Sequence, residues 1–229
     1  MKRPFIFSGI AGIAVIIMSI ILMFVFPQKA ARFPEGFFTP VIAFEFINTS
    51  NEVEAFFGPA GERESMAARM DLGNKLDYLY MALYCIFLFS YAFIMKKEDG
   101  TKAMTLAMAF CIFIFFADAM ENIQLLSITD SMGNSDLSNE LFLLKIFTWL
   151  KWGGLSVFFI LVVPAWRRAG GFGRFLALWA IITLAAAIAA LLHRGLMNEL
   201  FALCVGLMFL FIIIFSFVHK GVGEPESDG

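Results

Sequence analysis

Charged residues are scarce in this sequence. Asp, Glu, Lys and Arg make up 16% of the 229 residues, against about 25% in ordinary soluble domains. Apolar residues make up 60%, and 29 residues are Phe. A water-soluble domain of this size could not bury so much apolar surface, and a disordered chain would be rich in charge. The composition therefore predicts a polytopic membrane protein.

Other scarcities narrow the function classes. The 17 basic residues do not outnumber the 19 acidic ones, so the chain lacks the basic excess of a nucleic-acid binder. Three scattered Cys exclude a disulfide scaffold. His193 and His219 are expected on opposite membrane faces, and Asp118-x-x-Glu121 lacks the Glu-x-x-His partner of di-iron bundles. We therefore expect no nucleic-acid partner, no metal and no cofactor.

Six apolar segments are long enough to cross a hydrocarbon core, which needs about 20 helical residues. They are 5–26, 76–95, 103–128, 141–163, 175–192 and 196–218. The predicted fold class is all-α: one domain, 1–218, forming a six-helix transmembrane bundle with short extracytoplasmic surface helices. The first segment exceeds the usual core of about 7–15 apolar residues in a signal peptide, so we expect a retained anchor.

The distribution of Lys and Arg predicts the orientation. With the N-terminus inside, the inner segments carry nine basic residues: Lys2, Arg3, Lys96, Lys97, Lys102, Arg167, Arg168, Arg174 and Lys220. The outer connection 129–140 carries none, and the last outer turn carries only Arg194. We expect a multi-pass protein of the cell membrane, in particular a bacterial inner membrane. Both termini, including the acidic tail 219–229, would then be cytoplasmic.

The outer loop 27–75 is too long to be a simple linker. Thr49-Ser-Asn-Glu52 is a capping-box sequence, and it predicts a short helix that Gly58-Pro59 ends. The apolar stretch before it contains one acid, Glu45. The loop is interpreted as a connector resting on the membrane surface, a lid that places Glu45 over a site, or a dimer contact. Residues 60–75 are expected to extend the second span outward.

Ionisable residues inside a bilayer usually face the bundle and often have a function. Asp118, Glu121 and Asn122 share one face of the third span, and Lys145 and Lys151 lie on the fourth. A 12-residue connection makes these spans antiparallel neighbours, so we expect Asp118 or Glu121 to pair with Lys145 or Lys151. The pairs are either purely structural or part of a polar site, and snorkelling of the lysines is a third alternative.

The second span adds another polar stripe, which contains all four tyrosines. Tyr78, Tyr80 and Tyr91 are expected in an interfacial belt, and Trp149 of the fourth span is expected to face lipid. Tyr84 lies too deep for a belt, so its hydroxyl needs a partner. We predict a cavity between spans two, three and four, open to the outer leaflet and closed toward the cytoplasm. Its binding residues would be Asp77, Tyr84, Asp118, Glu121, Asn122, Lys145 and Lys151.

The pattern from Glu45 through Asp77-Tyr78, Tyr84 and Asp118-x-x-Glu121-Asn122 to Lys151 resembles one found in bacterial multi-pass membrane proteins of uncharacterised function. It covers less than half of the chain. The resemblance implies a membrane fold and assigns no role to any residue.

Three functions are compatible with this sequence. The first is a non-enzymatic protein that binds a membrane lipid head group or small amphiphile, or that acts as a subunit alongside other membrane subunits. The second is an enzyme acting on lipid, with Asp118 or Glu121 as acid/base. The third is a small transporter or proton carrier, although the apolar inner half offers no obvious path.

Overall fold

The computed structural model describes residues 4–133 and 136–219, and this part of the chain is all-helical. Its eight helices are α1 (Ile6–Val25), α2 (Pro40–Glu45), α3 (Ser50–Phe57), α4 (Ala60–Asp99), α5 (Lys102–Ser131), α6 (Ser138–Arg168), α7 (Gly171–Leu192) and α8 (Leu196–Val218). Six of them, α1 and α4 to α8, are long and apolar enough to cross a membrane. The predicted fold class is confirmed, and the chain is a multi-pass membrane protein. Lys2, Arg3, Lys220 and the acidic tail beyond His219 lie outside the described residues.

The six long helices pack as a ring in chain order. Each of α4, α5, α6 and α7 packs against the next helix, and α1 closes the ring by contacting both α4 and α8. Several helices are longer than predicted. For example, α6 was expected to end at residue 163 but continues through Pro164 to Arg168, because a membrane helix can compensate a single lost backbone hydrogen bond locally.

Two short helices lie at one end of the ring, which we call the loop end. In α3, the Thr49 hydroxyl accepts a hydrogen bond from the Glu52 N–H, and Glu52 in turn accepts one from the Asn48 N–H. The helix ends at Gly58, whose φ of 76° is strained for other residues. This confirms the predicted Thr49 cap and the stop at Gly58, but the Glu52 side chain bonds to the N–H of Asn48 instead of that of Thr49.

The short helices are packed into the bundle rather than resting on its surface. Phe44 and Ile47, in and just after α2, and Val53, Phe56 and Phe57 of α3 are fully buried. They form a second apolar core with parts of α1, α4, α5 and α6. Helix α4 runs without a break from residue 60, which confirms that residues 60–75 extend the second span. The loop therefore forms a packed cap over one end of the bundle.

Small residues let α1 approach α8 closely at the opposite end. A Cβ on Gly9 would lie 2.7 Å from the Phe217 ring, and one on Gly12 would lie 2.4 Å from Ile213. The hydroxyls of Ser8 and Ser216 are 3.4 Å apart in the same contact. Toward the loop end, larger side chains of α1 face Ala202 and Gly206 of α8 across open space. The two helices therefore close one end of their shared groove and leave the other open.

Candidate functional site

Lys151 of α6 lies at the centre of a buried charge cluster. Its Nζ is 3.1 Å from Oε1 of Glu45 and 3.5 Å from Oδ1 of Asp118, and it also contacts Oε2 of Glu121. All four side chains are at most 10% exposed. The predicted pairing of α5 acids with an α6 lysine is confirmed for Lys151. We call these four residues the charge cluster.

Helix α2 places Glu45 in this cluster. Trp152 donates a hydrogen bond from Nε1 to Oε2 of Glu45 at 2.9 Å. The Thr148 hydroxyl lies 2.7 Å from Oε1 of Glu121 and 3.1 Å from the Glu45 carbonyl oxygen. Burial raises the pKa of Glu45, against the lowering effects of Lys151 and Trp152. Glu45 therefore forms an ion pair inside the bundle. The prediction from its position in the loop was only that a lid places it over a site.

Side chains in the polar stripe of α4 form hydrogen bonds with α5. Tyr84 donates from its hydroxyl to Oδ2 of Asp118 at 2.5 Å, which is the kind of partner that its depth predicted. Asn122 donates from Nδ2 to Oδ2 of Asp77 at 2.8 Å. These contacts connect the second and third spans, and the ion pairs of Asp118 and Glu121 with Lys151 connect the third span to the fourth.

A cavity of about 560 Å³ lies against the charge cluster, and we call it the main cavity. Its polar wall includes Asp77, Tyr84, Asp118 and Lys151. The remaining wall is mostly apolar and comes from α1, α2 and α8. The volume is in the usual range of small-molecule sites, about 300–1,000 Å³. The arrangement combines an apolar chamber with a polar, charged wall.

The main cavity opens between α1 and α8. Ile20 and Met23 of α1 and Leu210 of α8 line it and are also exposed on the outside of the bundle. The α8 residues that line it run from Ala202 to Ile213, about 16 Å at 1.5 Å per residue. That is about half of a 30 Å hydrocarbon core. The cavity therefore extends over about half of the bundle's height, and lining residues of α1 and α8 are exposed on its outer side.

The predicted walls of the cavity are partly wrong. Spans two, three and four supply its polar side, but its open side is formed by spans one and six. Asn122 was expected to line it and does not, because its side chain is buried against Asp77. Glu121 is also behind the wall and contacts Lys151 and Thr148. Both residues therefore support the wall from outside the cavity.

Lys145 was predicted to line the main cavity but lies away from it. It is exposed and lines a different, smaller pocket with Trp149, Arg194 and Asn198. Lys145 and Lys151 are six residues apart, which at 100° per residue places them about 120° apart around the helix. The two lysines therefore cannot face the same site.

Three aromatic residues are also placed differently from the prediction. Trp149 packs edge-to-face on Phe46 of the loop, with ring centroids 5.5 Å apart, so it contacts the cap instead of facing lipid alone. Tyr91 is fully buried and accepts a hydrogen bond from Nε1 of Trp166 at 2.7 Å, so it is a core residue rather than a belt residue. Tyr80 lines the main cavity, and Tyr78 is exposed.

Glu199 in the first turn of α8 and Arg194 in the α7–α8 turn hold the cap, and Arg194 also donates from Nε to the Phe46 carbonyl oxygen at 2.9 Å. Oε1 of Glu199 accepts hydrogen bonds from the N–H groups of Phe38 and Thr39 at 2.9 and 2.8 Å. Arg194 forms a two-pronged ion pair with Glu52, at 2.7 and 2.8 Å. Partial burial acts to raise the pKa of Glu52, but hydrogen bonds from Arg194 and Asn48 outweigh it and hold this pKa below its ordinary value. None of these contacts was predicted, because they join residues about 140–160 positions apart.

The described residues contain no group of three or more His, Cys, Asp or Glu arranged to hold a metal ion. No protein-family model, curated protein or solved structure matches this chain.

Proposed function

We propose that this protein binds a membrane amphiphile, with the apolar chain in the main cavity and the polar head against the charge cluster. The observation that supports this most directly is the combination of a sideways opening between α1 and α8 with buried charged groups on the inner wall. An amphiphile can enter such a cavity from the bilayer without crossing water. The protein would act as a binding module rather than by chemistry on the bound molecule.

The polar wall favours a head group that donates hydrogen bonds. Three carboxyl groups, those of Glu45, Asp118 and Glu121, contact the single ammonium of Lys151, and the carboxyl group of Asp77 lines the main cavity. Oδ2 of Asp77 accepts from Asn122, and Oδ2 of Asp118 accepts from Tyr84, which leaves acceptor oxygens in excess. A buried acceptor is stabilised most by a hydrogen-bond donor, and a carboxylate is stabilised most by a donor that carries a positive charge. The preferred head is therefore an amine, followed by an alcohol.

Filling the cavity tests this proposal. Gly206 lines the main cavity, and no atom of another element lies within 4 Å of the position of a Cβ there. We expect Gly206→Leu to weaken binding of dodecylamine about tenfold or more, which corresponds to about 1.4 kcal/mol, while leaving the fold intact. The reason is that the new side chain takes space that the alkyl chain of the ligand needs. Binding is measured by calorimetry on the detergent-purified protein.

Gly153 supplies the matched control. It is also a helical glycine with free space around it, but it does not line the main cavity. Gly153→Leu should bind dodecylamine like the parent protein, and the parent should prefer dodecylamine to dodecanol and reject dodecyl sulfate. Equal affinity of the Gly206→Leu and parent proteins would refute the proposal, and a preference for the sulfate would refute the head-group assignment.

We also propose that the loop end faces the outside of the cell membrane and that both termini are cytoplasmic. The support is the concentration of Lys and Arg at the opposite end, including Lys96, Lys97, Arg167 and Arg174. The main cavity would then take its ligand from the outer leaflet.

Cysteine labelling in intact cells tests this orientation. Gly61 and Gly171 lie in the first turns of α4 and α7, both exposed and free of close neighbours. With Cys85, Cys111 and Cys204 replaced by Ala, Gly61→Cys should react with an impermeant maleimide, and Gly171→Cys should react only after the cells are broken. The reverse pattern would overturn the orientation without affecting the amphiphile proposal.

A further inference from the structure

A second pocket lies at the loop end, on the other side of the cap from the main cavity. Its volume is about 110 Å³, and it lies among the residues that follow α2, the segment of α6 from Lys145 to Trp149, and the α7–α8 turn. Lys145, Arg194 and Asn198 are among its lining residues. We call it the small pocket. All three of these side chains carry hydrogen-bond donors.

Asn198 has a donor that nothing in the described part of the chain uses. The residue is 1% exposed. Its Oδ1 accepts a hydrogen bond from the Gly195 N–H at 2.8 Å, which fixes the orientation of the amide and leaves Nδ2 as the other group. Nδ2 has no hydrogen-bond partner among the described residues. A buried unsatisfied donor is costly and requires an explanation.

The charge around the small pocket is positive. Lys145 is exposed at its rim and forms no ion pair with any described residue. The Arg194 charge is balanced by Glu52, and the carboxylate of Glu45, which also lines the pocket, is held by Lys151 and Trp152. Asn198 lies in the first turn of α8, where the helix dipole adds partial positive charge. The uncompensated charge is therefore that of Lys145, supported by the helix N-terminus.

We propose that the small pocket binds a phosphate group, which accepts hydrogen bonds from Nδ2 of Asn198 and pairs with Lys145. This inference is independent of the amphiphile proposal, because it uses different residues and an anionic rather than a donor-rich ligand. Several leucines next to the pocket, Leu191, Leu192 and Leu196, are exposed, as expected where acyl chains lie. The phosphate comes either from a phospholipid head group or from free phosphate.

The decisive variant is Asn198→Asp. It keeps an oxygen for the Gly195 N–H, so the start of α8 is preserved, but it replaces the Nδ2 donor with a carboxylate oxygen that repels an anion. The probes are phosphatidylglycerol, diacylglycerol with the same chains, and inorganic phosphate, each titrated against the purified protein by native mass spectrometry. The experiment is repeated in Gly206→Leu protein, so that occupation of the main cavity does not contribute.

We expect Asn198→Asp to weaken phosphatidylglycerol binding at least about tenfold and Lys145→Gln to weaken it several-fold, as for hydrogen bonds to a charged group. Lys75→Gln, which removes an exposed lysine outside the pocket, should have no effect, and diacylglycerol should bind weakly. If the protein binds phosphatidylglycerol but not inorganic phosphate, the phosphate comes from lipid. If inorganic phosphate also binds, and its affinity falls as much in the Asn198→Asp protein, the ligand is the free ion. Unchanged affinity of a folded Asn198→Asp protein for both probes would overturn the proposal.

Discussion

Replacing Lys151 with Met should destabilise the protein by about 3–5 kcal/mol, the usual cost of removing one partner from a buried ion pair. The reason is that Lys151 is the ammonium shared by Glu45, Asp118 and Glu121, all buried. Without it, these carboxyl groups lie next to one another in a region of low dielectric. The free energy of unfolding in detergent, measured by urea titration, checks this expectation.

A second substitution shows whether the loss of stability comes from the carboxyl groups that are left without a cation. Adding Glu121→Gln to Lys151→Met should recover part of the stability, because one uncompensated carboxylate is removed and the amide oxygen can still accept from Thr148. The two losses should therefore be clearly less than additive. Full additivity would show that the two groups do not interact in the folded protein.

Lys145 provides the control on the same helix. It is exposed and contacts no member of the charge cluster. In detergent without anionic lipid, Lys145→Met should change the free energy of unfolding by no more than about 0.5 kcal/mol, as for other surface positions. A large effect of this variant would mean that removing any charge from α6 destabilises the bundle, whatever its partners.

The sequence was sufficient to predict the elements that have a strong local signal. The spans follow from their length and hydropathy, and α3 follows from Thr49, Glu52 and Gly58. The contact between Lys151 and the α5 acids follows from the short connection between α5 and α6 and from the cost of burying a charge alone. In each case the determining interaction is local or is between neighbouring helices.

The walls of the main cavity could not be predicted in the same way. No ionisable residue lies in α1, and an apolar helix in lipid is positioned by the shape of its contacts rather than by a polar pattern. The contacts that place it, such as Gly12 against Ile213, join opposite ends of the chain. By contrast, the separation of Lys145 from Lys151 was available from helical geometry alone.

Replacing Glu199 with Ala should loosen the cap and lower the free energy of unfolding by about 2–6 kcal/mol, since two backbone N–H groups lose their acceptor at about 1–3 kcal/mol each. Those groups belong to Phe38 and Thr39, immediately before α2. Amide hydrogen exchange of residues 37–47 should accelerate at least about tenfold, because this segment is held to α8 by Glu199.

The effect should extend to the ligand, because α2 carries Glu45 into the charge cluster and places Val41 and Ile42 in the wall of the main cavity. We therefore expect Glu199→Ala to weaken dodecylamine binding as well. Glu199→Gln keeps a carbonyl oxygen for the same N–H groups, and its loss of stability should be less than about 1 kcal/mol. Unchanged exchange of residues 37–47 in the Ala variant would show that the cap is held by its buried apolar residues, among them Phe44 and Phe56, and not by Glu199.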